Sequence, residues 1–165
     1  MTSVLIIGYG NLSRRDDGVA FHIIARLRQR LGLTSQLDED ESDTLGERPA
    51  TMLVHQLGPE IAETLVRYDA VVFVDAHVAG TDWAPVHWQE IATALRSSMV
   101  SHHLKPGVLL NLANSLYGHA PRGYALSVLG TDFDFGETLA PDTSSRADEA
   151  VERLLAFLRA EGVIV

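Results

Sequence analysis

Val4-Leu5-Ile6-Ile7-Gly8-Tyr9-Gly10-Asn11 opens the chain with four apolar residues in succession, closed by two glycines around a tyrosine. A continuous apolar run without polar alternation is the pattern of a strand covered on both faces, and the glycines end it in a tight turn. From Asp17 onward Val19, Ala20, Ile23, Ile24, Leu27 and Leu31 recur at intervals of three and four, the stripe of an amphipathic helix that stops near Gly32. Strand, glycine turn and helix therefore follow one another in the order that begins an α/β domain.

The rest of the chain repeats the alternation. Thr51 to Leu57 reads as a second strand, and Pro59 begins a helix through Ile61, Ala62 and Leu65. Ala70 to Val74 is a third strand ending at Asp75, Val86 to Ile91 an edge strand, and Tyr124 to Leu129 a further strand. Leu104 to Leu116 reads as a helix with Pro106 in its first turn, and the last helix covers about Ser144 to Ala160, with Ala147, Val151, Leu154, Leu155 and Leu158 inward. The expectation is a single three-layer α/β/α domain over residues 1–165, with a mostly parallel, twisted sheet of about five strands flanked by helices.

A length of 165 residues, 46% apolar and 21% charged, suits one compact domain. The opening residues lack the basic start and long apolar stretch of a signal peptide, and no apolar run reaches the roughly 18 residues of a spanning helix, so a soluble cytoplasmic protein is expected. The absence of cysteine excludes disulfides, thiolate metal sites and a cysteine nucleophile; any metal must be held by His, Asp or Glu. A formal charge of −9 argues against nucleic-acid binding, which needs clustered Lys and Arg. Much of that charge is local. Asp38, Glu39, Asp40, Glu41, Asp43 and Glu47 crowd the segment 37–48, which reads as a solvated acidic surface loop.

In open α/β sheets ligands gather beyond the carboxyl ends of the strands. Three groups fall there: the Gly8-Tyr9-Gly10-Asn11 turn with Asp16 and Asp17, then Asp75, then Ser101-His102-His103. Two carboxylates and an imidazole can bind a divalent metal at about 2.0–2.2 Å and leave positions open for substrate atoms.

Gly8-Tyr9-Gly10-Asn11, followed by Asp17-Gly18-Val19, resembles the opening signature of the hydrogenase maturation proteases. Val71-Val72-Phe73-Val74-Asp75-Ala76 is similar to that family's apolar strand ending in Asp-Ala. His102-His103-Leu104-Lys105-Pro106-Gly107 before an apolar helix resembles a third block, and Leu139-Ala140-Pro141 before the last helix also fits. The blocks occur in order along nearly the whole chain. The resemblance implies an endopeptidase that removes the C-terminal extension of the nickel-iron hydrogenase large-subunit precursor after nickel insertion. It implies Asp17, Asp75 and His102 as the contacts to nickel borne by the substrate, with no organic cofactor. The sequence departs from the pattern where many members have Glu at position 17, and where His55-Gln56-Leu57-Gly58 replaces the Asp-Gly-Gly that some carry after strand two. His103 is the alternative ligand if the alignment slips by one. Asp16, beside Asp17, is a candidate general base or water-positioning group, and Tyr9 and Asn11 are expected to shape the rim. The sequence does not decide whether the metal also polarises the scissile carbonyl or activates water.

Each of these residues also has a plainer reading. The glycines suit any tight turn, Asp17 suits a helix N-terminus and Asp75 a strand-ending turn. His102 and His103 precede a helix, where histidine is often a surface residue, and His77 shares a strand face with Asp75 as a rival ligand. His55 and His119 have no such company, and Trp83 and Trp88 suit packing or a substrate groove. Among rival functions, a nucleotide-binding turn lacks its third glycine, with Ser13 in place, and no acidic residue ends strand two. A receiver-type phosphoacceptor expects a lysine after the last strand, whereas the only lysine is Lys105. A serine hydrolase lacks its Gly-x-Ser-x-Gly elbow. A module that binds the hydrogenase subunit without cutting keeps the same metal contacts.

Overall fold

A computed structural model describes residues 1–34, 44, 46–91 and 104–165. Its five strands run β1 Val4–Tyr9, β2 Ala50–Val54, β3 Ala70–His77, β4 Val86–Ile91 and β5 Arg122–Leu129. Its helices are α1 Val19–Arg30, α2 Ile61–Leu65, α3 Pro106–Tyr117 and α4 Pro141–Ala160, with a short 3-10 turn at Arg15–Gly18 before α1. The sheet order is β2-β1-β3-β5-β4, and only β4 pairs antiparallel. The expected mostly parallel five-stranded sheet between helices is the observed one.

The hydrophobic pattern explains the layers. In β1 and β3 alternate residues face opposite sides: Ile6, Val72 and Val74 pack with α1 and α4, while Leu5, Ile7, Val71 and Phe73 pack with α2 and α3. Strands buried this way need apolar residues at every position, hence the unbroken runs. The elements differ from expectation mainly at their ends. Strand β2 stops at Val54, with Leu57 buried in the following loop, and β3 continues past Asp75 to His77 because β5 pairs with it through Leu129. Helix α4 begins at Pro141, where a residue without an N–H costs nothing in the first turn.

Most of the acidic segment, residues 37–43 and 45, lies outside the described residues. Glu47 belongs to the described part, and it turns inward. The Arg28 guanidinium, 3% exposed, donates to Glu47 at 2.6 and 3.2 Å, to Thr51 Oγ1 at 3.0 Å and to the Thr34 carbonyl at 2.7 Å. The bonds from Arg28 are the chief cause holding the Glu47 carboxyl below the usual range, with a lesser one from Thr44. Replacing Glu47 with alanine strands a buried cation. We expect a loss of about 2 kcal/mol, less than the roughly 3–5 kcal/mol for a fully enclosed pair because Glu47 keeps 32% of its side chain exposed. Urea titration of the two proteins measures it.

No helix among the described residues is long and apolar enough to cross a membrane.

Candidate functional site

The chain leaves β1 toward β2 on one side and returns through α2 to β3 on the other, so β1 and β3 are neighbours whose connections diverge. Such a switch point opens a crevice at the carboxyl ends of the strands, and Tyr9, Gly10, Asn11, Asp17 and Asp75 all belong to it.

Gly10 shapes the turn. Its φ is +144°, and a Cβ there would stand 2.1 Å from the Asp17 carbonyl oxygen, so only glycine lets the 3-10 turn close over the end of β1. Asp17 then reaches back, its Oδ2 accepting the Asn11 amide at 3.0 Å. Asp17 is the N-cap residue of neither the 3-10 turn nor α1; those positions are Arg14 and Gly18. The carboxylate occupies an amide of the Gly-x-Gly turn that a nucleotide phosphate would need, and its charge would repel one.

Asp75 projects from β3 on the face shared with Tyr9. The Tyr9 hydroxyl donates to Asp75 Oδ2 at 3.0 Å, and Ser127, directly opposite in the register, bonds the same carboxyl. Burial pushes the Asp75 carboxyl up to about 6; the Ser127 and Tyr9 bonds pull it down, and the nearby Asp17 charge raises it. Burial and the Asp75 charge in turn push the Tyr9 phenol far above its ordinary value, so it stays a donor. Two acids that repel one another at the mouth of a sheet are relieved by a cation.

A cleft of about 240 Å³ adjoins Asp17, lined by Tyr9, Gly10, Asn11, Asp17, His55, Gln56, Leu57 and Leu104. Leu104 is the first described residue after Ser101-His102-His103, which lie outside the described residues. Among the described residues no group of three His, Asp or Glu side chains is disposed to hold a metal ion.

Asp16, the candidate general base or water-positioning group, is engaged elsewhere. It is 0% exposed, and its carboxylate accepts the amides of Thr131, Asp132 and Ala140 at 2.7, 2.9 and 2.9 Å and the hydroxyls of Thr131 and Thr143 at 3.3 and 2.7 Å. Burial alone would raise its pKa; the Thr143 hydroxyl and the three amides outweigh that and hold it below the usual range. A carboxylate so occupied and so weakly basic neither reaches nor accepts a substrate proton. Arg15 completes the clamp with a bond to the Thr138 carbonyl at 2.9 Å and an ion pair to Asp132, compensating a left-handed φ of +44°.

His77 does share the Asp75 face, but its Nδ1 lies 2.8 Å from Ser127 Oγ and the residue is 8% exposed, so it abuts the site from behind. Trp83 meets His77 edge-on and stacks on His87, while Trp88 packs with Tyr124, Phe157 and Arg153 on the opposite face. Ser127 is the functional residue that the sequence reading missed. Its one signal is a polar residue between Leu126 and Val128 in a strand that is otherwise apolar there.

No family model matches the chain, and no curated protein sequence matches it. Solved structures do. The chain is similar to the hydrogenase maturating endopeptidase HybD from E. coli, at 21% identity and a TM-score of 0.69 over 97% of this chain and 94% of that one. It is also similar to the NiFe hydrogenase maturation protease HycI from Thermococcus kodakarensis, at 18% identity and a TM-score of 0.66 over 96% and 93%. HybD from the same organism follows at 15% identity and a TM-score of 0.64 over 94% and 99%. Over nearly its whole length, the chain has the fold of the hydrogenase maturation proteases.

Proposed function

We propose that this protein is a cytoplasmic endopeptidase that removes the C-terminal extension of the nickel-iron hydrogenase large-subunit precursor, docking on nickel already installed in that substrate. The observation that carries the reading is the pairing of Asp17 and Asp75 at the β1/β3 switch point of a fold shared with hydrogenase maturation proteases. Asp17 and Asp75 supply two hard oxygen donors, and His102 is proposed as the nitrogen donor. The metal arrives with the substrate, so the site must be open and must not hold its own ion tightly. The electrostatics suit this: burial and the Asp17 charge disfavour the charge on Asp75 until a cation is presented.

The test is to incubate the purified protein with nickel-loaded and nickel-free large subunit and follow release of the C-terminal peptide. Loss of the peptide only from the loaded form is the expected result. Equal cleavage of both removes metal gating, and binding without cleavage assigns a non-cleaving assembly role.

Asp75 must be ionised to meet the metal, which sets a pH dependence. With its carboxyl up to about 6, kcat/KM is expected to fall as pH drops below about 6, approaching tenfold per unit, and to level off above. The Tyr9 bond holds that value down, so Tyr9→Phe moves the acid limb to higher pH. A profile flat from pH 5 to 8 contradicts Asp75 as a ligand.

A further inference from the structure

Asp75 is one end of a buried line of hydrogen bonds that runs along one face of the sheet, from β3 to Ser127 of β5 and back to β3 at His77. Ser127 Oγ bonds the Asp75 carboxyl and lies 2.8 Å from His77 Nδ1; Ser127 is 2% exposed and His77 8%. The strand register imposes this line. Asp75 pairs with Ser127 across β3 and β5, and His77, two residues on, falls on the same face.

Donor counting orders the line. A serine hydroxyl has one hydrogen, and a carboxylate only accepts, so the hydrogen of Ser127 goes to Asp75. Ser127 then faces His77 with a lone pair, and His77 must present Nδ1–H to it. The Ala84 carbonyl lies toward the ring, but it makes no hydrogen bond of proper geometry with Nε2, so the single proton of the neutral ring is better used at Nδ1, 2.8 Å from Ser127 Oγ. Trp83 packs edge-on against the ring at 5.4 Å.

We propose that Ser127 and His77 are positioning residues: His77 Nδ1–H fixes the Ser127 hydroxyl as a donor, and that donor aims the Asp75 carboxylate at the metal the substrate presents. The proposal rests on the endopeptidase reading. Partners behind a metal-binding carboxylate set its orientation, and their loss typically costs roughly 10–100-fold. Neither residue touches the substrate.

The discriminating variants exploit amide geometry. An asparagine side chain places its NH2 near the position of imidazole Nδ1, whereas a glutamine places its NH2 near Nε2. Both remove the ring that Trp83 packs against. Steady-state processing of nickel-loaded precursor should show Ser127→Ala and His77→Gln reduced in kcat/KM by roughly 10–100-fold, with His77→Asn restored to within about threefold of wild type. Thermal unfolding of each variant reports folding separately. If His77→Asn and His77→Gln fall together, the ring serves packing alone and the proposal is overturned; if Ser127→Ala processes at the wild-type rate, it is overturned as well. Both of those results require a wild-type enzyme that cuts. Failure of the wild type to cut the loaded precursor instead overturns the endopeptidase reading, and this proposal with it.

Discussion

Asp17→Asn is expected to lower precursor processing by about a thousandfold while leaving the unfolding midpoint within a degree or two of wild type. The two halves of that expectation have separate causes. Asp17 Oδ2 accepts the Asn11 amide at 3.0 Å, a bond that an asparagine carbonyl can also accept, so the turn over the end of β1 persists. What disappears is a formal negative charge at the crevice, and the loss of one charge-assisted contact of about 4 kcal/mol to a bound cation corresponds to about three decades in rate. A further readout ties the effect to the pair of acids. The Asp17 charge is among the causes raising the Asp75 carboxyl, so removing it should shift Asp75 below its value of about 6, measurable by carboxyl-carbon NMR titration. Normal processing by this variant, with the fold intact, would remove Asp17 from the site.

Asp17 and Asp75 stand out in the sequence because each borders an apolar pattern that is local. A run such as Ala70 to Val74 announces a doubly covered strand, and the first polar residue after it lies at the carboxyl rim. The α1 stripe is equally local, yet it conceals Arg28, which sits beside Leu27 on the buried side and survives there only because Glu47 and Thr51 arrive from distant sequence. Ser127 shows in the sequence only as a polar residue in an apolar run, and its partner does not show, for the same reason. Its role is created by the β3–β5 register, and nothing in Tyr124 to Leu129 specifies which residue of β3 it will face. His102 is the reverse case, since a motif resemblance points to it but its placement lies outside the described residues.

The adjacent acids Asp16 and Asp17 illustrate the limit most sharply. Successive residues of a 3-10 turn project about 120° apart, so one can face the crevice while the other faces the protein. Nothing in the pair Asp-Asp says which. The structure turns Asp16 inward, where it gathers residues 131–143 against the turn, and the consequence is a stability effect. Asp16→Asn keeps one carbonyl oxygen and gains an NH2. Oδ1 takes the Ala140 amide while Oδ2 takes those of Thr131 and Asp132, so whichever way the amide points, donors confront a donor. With buried amides left unpaired at about 1–3 kcal/mol each, we expect a loss of about 4 kcal/mol and a midpoint lowered by about 8–16 °C. The pKa shift of Asp16 has the opposite sign from that of Asp75. Because the folded-state pKa of Asp16 is depressed, its contribution is complete above the unfolded value of about 3.9 and disappears as pH falls through the folded value. The wild type should therefore lose stability below about pH 4 faster than Asp16→Asn does, and the gap between them should close on acidification. If the gap is instead constant with pH, the Asp16 carboxylate is not the charged anchor of the turn. Calorimetry from pH 3 to 7 decides between the two outcomes, and it does so without any substrate, which separates the anchoring of the turn from the chemistry of Asp17 beside it.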